Sequence, residues 1–142
     1  MSGYDGLINF AGRRSDEALS TWRRLRNQCD AARQKLALLK QHGERYRDLM
    51  RAGLQEGAPA TAAMAYVGFI GQIEEFVVRQ ESEVGRLEEA CTRRWQELVE
   101  ARRDKRLYEI LRERSRTQQM EAALRRSQAE IDELLQRVAK LL

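Results

Sequence analysis

From Ile8 to Met50 the chain repeats one spacing with almost no break. Ile8, Ala11, Ser15, Ala18, Trp22, Leu25, Cys29, Ala32, Leu36, Leu39, Gly43, Tyr46 and Met50 follow alternating steps of three and four. The positions between them are mainly charged or amide side chains. Such spacing puts one narrow apolar stripe on a long helix, the seam of a coiled coil. A second run holds the same rhythm through Ile70, Ile73, Val77, Gln80, Val84, Leu87, Cys91, Arg94, Leu98, Ala101, Lys105 and Tyr108. A third frame carries Leu124, Ser127, Ile131, Leu134, Val138 and Leu141, after an almost wholly polar stretch at 112–119 where the frame slips. A slip of this kind rewinds a coiled coil or marks where a partner strand stops.

One segment interrupts the helices. Residues 53–60, Gly-Leu-Gln-Glu-Gly-Ala-Pro-Ala, hold two glycines and the single proline. Glycine ends a helix in a left-handed cap, and proline cannot continue one. The expected fold is all-α: a long antiparallel two-helix coiled-coil hairpin with a C-terminal helical overhang. It is read as a single domain over 1–142, with helix one at about 5–52, the turn at about 53–60 and helix two at about 61–142. At 1.5 Å per residue the second helix outruns the first by some 50 Å. Folding back about the turn pairs positions whose numbers add to about 113. The overhang, about 112–142, is then left without a partner in its own chain.

Composition narrows function. In 142 residues, 34% are charged and 6% aromatic, which favours long helices over a compact globule. One histidine, His42, and two cysteines, Cys29 and Cys91, cannot supply a set of metal-ligand spacings. Neither a P-loop nor a dinucleotide fingerprint occurs. No enzyme, metal or cofactor is therefore expected. The most apolar stretch, 62–78, is broken by Gln72, Glu74 and Glu75 and falls short of the ~20 residues of a spanning helix. Residues 1–14 lack the pattern of a secretory signal. A cytoplasmic protein with reduced cysteines is expected.

Two surfaces stand out. Near the turn, Tyr46, Leu49 and Met50 on helix one and Tyr66, Phe69, Ile70, Ile73 and Phe76 on helix two exceed what a two-helix seam can bury. Part of this surface should face solvent, where apolar patches mark partner sites. At the open end, 102–116 carries seven basic groups against three acidic ones, close to Arg13 and Arg14. The net charge is +4, mostly from arginine. Nucleic acid is not the expected partner, because only Tyr108 interleaves the basic residues and no zipper-type basic region precedes the heptads.

The ordered landmarks resemble a known family. These are Asp16-Glu17-Ala18, Tyr46 before the turn, Phe69–Phe76, Trp95-Gln96-Glu97, Arg102-Arg103, Lys105, and 109–114, Glu-Ile-Leu-Arg-Glu-Arg. Together they look like the FliJ family of flagellar export proteins, with virulence injectisome stalk proteins the alternative and a generic coiled-coil scaffold a second one. The resemblance implies a non-enzymatic part of the flagellar type III export apparatus, serving flagellum biogenesis and motility. Such proteins resemble the coiled-coil stalk of rotary ATPases. The partners implied are the export ATPase (FliI-like) and its regulator (FliH-like), the export gate protein (FlhA-like) and substrate chaperones, with the inner membrane reached only through them. Carried onto this chain, the gate contact would use Leu39, Tyr46, Met50, Phe69, Ile73 and Phe76. The ATPase contact would use the basic open end, Arg13, Arg14, Arg102, Arg103 and Arg106.

Overall fold

The computed structural model describes residues 3–142. Two α-helices account for nearly all of them: α1, Tyr4–Gln55, and α2, Ala60–Leu141. They pack against each other as an all-α hairpin, and no strand occurs among the described residues. The contacts fall into two compact units. One takes the chain up to Asp16 together with Leu98–Leu142; the other is Glu17–Glu97.

The Glu17–Glu97 unit contains the turn. Of the eight residues that carry turn signals, only 56–59 leave the helices. Gly57 takes the left-handed backbone, with φ 81°. Its N–H bonds the Leu54 carbonyl at 3.2 Å, and the Ala58 N–H bonds the Gly53 carbonyl at 2.9 Å. This 5→2 and 6→1 pair is a Schellman cap, and it satisfies carbonyls that the end of α1 would leave unpaired. Gly53 stays helical. A Cβ there would meet the Ala58 methyl at 3.7 Å, ordinary contact, so the turn closes over it without needing its conformational freedom. The Pro59 carbonyl then accepts the Ala62 and Ala63 N–H groups and starts α2.

Cys29, Ala32, Val84 and Leu87 form the buried centre of this unit, with Leu25 and Leu36 against it. Gln80, a polar interruption of the seam, is accommodated because its amide donates to the Ala32 carbonyl at 3.0 Å. A row of ion pairs flanks the seam: Arg33–Glu88 at 2.8 Å, Lys40–Glu81 at 3.6 Å and Arg47–Glu74 at 2.8 Å. Each member lies seven residues from the next, directly after a seam residue. Opposite charges at these flanking heptad positions fix which residues of an antiparallel pair meet.

In the other unit, Ile8, Ala11 and Ser15 are buried from α1, and Leu98 and Ala101 from α2. Small residues let the backbones approach, so Ala101 is 0% exposed and Leu98 1%. Two ion pairs cross between the helices, Arg14–Asp104 at 3.2 Å and Asp5–Arg112 at 3.1 Å. Coverage of α2 ends at Ser115, and every residue from Arg116 onward is exposed.

The observed register lies about one helical turn further along α2 than the turn signals predict. A pairing sum of about 113 sets Arg14 opposite Val99, and it instead meets Asp104. Within the Glu17–Glu97 unit part of the offset comes from the turn: α1 continues past Gly53 because Gly57 takes the cap, which moves the centre of the turn one residue along the chain. In the Glu17–Glu97 unit Trp22 and Trp95 are likewise in direct ring contact, centroids 5.0 Å apart. Cys29 and Cys91 line one groove with those tryptophans, and both are free thiols.

Candidate functional site

The apolar surface beside the turn belongs to the Glu17–Glu97 unit. Tyr46 on α1 stacks on Phe69 of α2, centroids 6.0 Å apart and planes 19° apart, and also meets Tyr66 at 6.4 Å. Gly43 is buried against α2: a Cβ there would sit 3.4 Å from Ile73 Cγ2, close but ordinary contact. Ile73, Leu39, Tyr46 and Met50 are half-buried, so they serve the helix pairing as well as the surface. Phe69 and Phe76 are the outward members, 53% and 51% exposed. Arg79 lies over the Phe76 ring at 5.9 Å, a cation–π contact that leaves the ring in solvent.

Leu54, Met64, Val67 and Val78 are also exposed near the turn. Helical spacing puts Met64, Val67 and Val78 on a different face of α2 from Phe69 and Phe76, off the seam, and reading the seam alone passes over them. Gly68 and Gly71 share this outer face of α2, and a Cβ at either would meet nothing within 4 Å. Their absent side chains serve no packing inside the chain.

The basic residues belong to the other unit. Arg13, Arg102 and Arg103 are exposed and make no ion pair among the described residues. Arg14 is held by Asp104, and Arg106 lies 3.6 Å from Glu109. Arg102 and Arg106 share a helix face by their spacing of four, while Arg14–Asp104 brings the α1 arginines beside them. Three of the five guanidiniums are thus free to meet an acidic or polar partner, and two are partly neutralised in place.

No three His, Cys, Asp or Glu side chains among the described residues are grouped to hold a metal ion. Burial pushes the Cys29 thiol above its ordinary pKa, with the Arg33 guanidinium pulling the other way. Hydrogen bonding to Arg86 lowers the Glu83 pKa. No helix among the described residues is long and apolar enough to cross a membrane.

No curated protein and no solved structure gives a significant match to the chain. One family model does match, described as the flagellar FliJ protein, and it covers residues 2–140. That span takes in both helices, the turn and both surfaces. The chain belongs to the FliJ family of flagellar proteins, components of flagellar type III export.

Proposed function

We propose that the protein is a non-enzymatic coiled-coil stalk of the flagellar export apparatus. It works in the cytoplasm at the inner membrane, links the export ATPase and its regulator to the export gate, and assists delivery of substrate chaperones. Family membership over residues 2–140 carries this reading. Two surfaces of opposite chemistry, in separate units of the hairpin, support it.

The aromatic patch suits the gate. Phe69 and Phe76 are exposed, large and apolar, the kind of side chain whose burial dominates interface energetics. Leu39, Tyr46, Met50 and Ile73 hold them in place from the seam. The basic residues suit the ATPase. Guanidinium forks engage carboxylates bidentately, and a cluster of them speeds the encounter with an acidic surface. A stalk needs both ends occupied by different partners.

The test is a double dissociation. Replacing Phe69 and Phe76 with Ser is expected to weaken binding to the gate protein's cytoplasmic domain and leave ATPase binding intact. Replacing Arg13, Arg102, Arg103 and Arg106 with Glu is expected to do the reverse, most strongly at low salt. Arg14 is left alone because Asp104 depends on it. If both variants bind both partners as the parent does, the two surfaces are not the contacts.

A further inference from the structure

Beyond Ser115, α2 runs on with nothing of its own chain against it, yet keeps an intact seam. Leu124, Ile131, Leu134, Leu135, Val138 and Leu141 are 50–87% exposed. An isolated helix with an apolar stripe is marginal in water, and a stripe this regular calls for a second helix. The residues flanking it show which one. Over 117–142 the chain has four basic and four acidic residues, so this segment is neutral although the whole chain is not, and two copies of it do not repel.

We propose that the exposed end of α2, Leu124–Leu141, pairs antiparallel with the same segment of a second copy of this chain. In heptad terms Leu124, Ile131 and Val138 are a positions and Ser127, Leu134 and Leu141 are d positions. An antiparallel pair centred between Asp132 and Glu133 layers Leu124 on Leu141 of the second copy, Ser127 on Val138, and Ile131 on Leu134. Every layer then contains at least one large apolar side chain. The g positions on one flank are Ala123, Glu130 and Arg137. At this register Glu130 faces Arg137 of the second copy, and symmetry repeats the pair. Glu130 makes no ion pair among the described residues, while Arg137 reaches only the exposed Glu133 at 2.9 Å.

The alternatives are worse by the same rule. Shifting the register by one heptad in either direction sets Glu130 against Glu130 or Arg137 against Arg137. A parallel, in-register pair sets Glu130 and Arg137 against leucines and stacks Ser127 on Ser127. The molecule already uses the favoured device, because Arg33–Glu88, Lys40–Glu81 and Arg47–Glu74 are opposite charges on matched flanks of an antiparallel seam. Space permits the pairing. The paired segment begins at Leu124, clear of Ser115, where α1 stops covering α2. This inference does not depend on the export reading; it stands or falls on self-association.

Sedimentation of the full chain from micromolar to millimolar concentration is the test. A reversible monomer–dimer equilibrium is expected. Substituting I131D and L134D should abolish it without loss of helix in the hairpin, since neither residue packs on its own chain. E130R, which creates two like-charge contacts, should weaken the dimer about tenfold. The swap E130R/R137E should restore it. A chain that stays monomeric overturns the proposal, as does a dimer that survives I131D/L134D. Failure of the swap to restore affinity overturns the antiparallel arrangement. A monomeric chain that captures purified export ATPase only when this segment is intact also overturns it and assigns the face to that partner.

Discussion

Gly68 and Gly71 carry a cost that the chain's own packing does not explain. Both lie within α2, and a Cβ at either position would enter open space. Glycine inside a helix is less favourable than alanine by about 1 kcal/mol. Gly68→Ala and Gly71→Ala are therefore each expected to raise unfolding stability by about that amount in urea titration. If the missing side chains serve close approach of the gate, the same variants will bind it less tightly. Cys29 gives a second residue-level expectation. Its thiol pKa is raised in the folded chain by burial, so folding favours the protonated thiol. That contribution is complete below the ordinary thiol range near ~8.5 and is lost as pH rises through the folded value. The urea midpoint of the parent should fall more steeply above that range than that of Cys29→Ala. Iodoacetamide at mildly alkaline pH should label the half-buried Cys91 first.

At the level of elements, the register of the Glu17–Glu97 unit is set by charge as well as by the seam. Replacing Glu74, Glu81 and Glu88 with Lys should lower Tm by a few degrees at low salt and by less at high salt. Adding Arg33, Lys40 and Arg47 to Glu should recover the loss. The row of ion pairs was open to sequence reading, since its members follow seam residues at intervals of seven. The pairing itself was not, because it depends on where the turn closes. Two glycines compete for the cap in 53–60, and only backbone geometry shows that Gly57 wins. That choice moves the centre of the turn one residue along the chain, part of the offset that brings Trp22 to Trp95 and sets the two cysteines in one groove. Helical content, the antiparallel return and the exposed end of α2 were legible because each follows from periodicity and relative length. The outward Met64 and Val67 were missed because off-seam apolar residues carry no periodic signal of their own.

For the whole molecule, family membership accounts for what heptads cannot. Periodicity leads to a hairpin and stops there, since any coiled coil satisfies it. The ordered landmarks from Asp16 to Arg114 point to FliJ, and the family match over 2–140 agrees. The candidate contacts divide by chemistry: aromatic side chains in the Glu17–Glu97 unit and free guanidiniums in the other. A stalk that joins two machines must hold both at once, and a bridging assay tests that directly. The gate protein's cytoplasmic domain is immobilised and offered the export ATPase with and without this chain. Retention of the ATPase only when the chain is present, and its loss with either Phe69/Phe76→Ser or the arginine-to-Glu variant, is the expected result. Equal retention without the chain, or a chain that binds one partner only by displacing the other, would contradict the account.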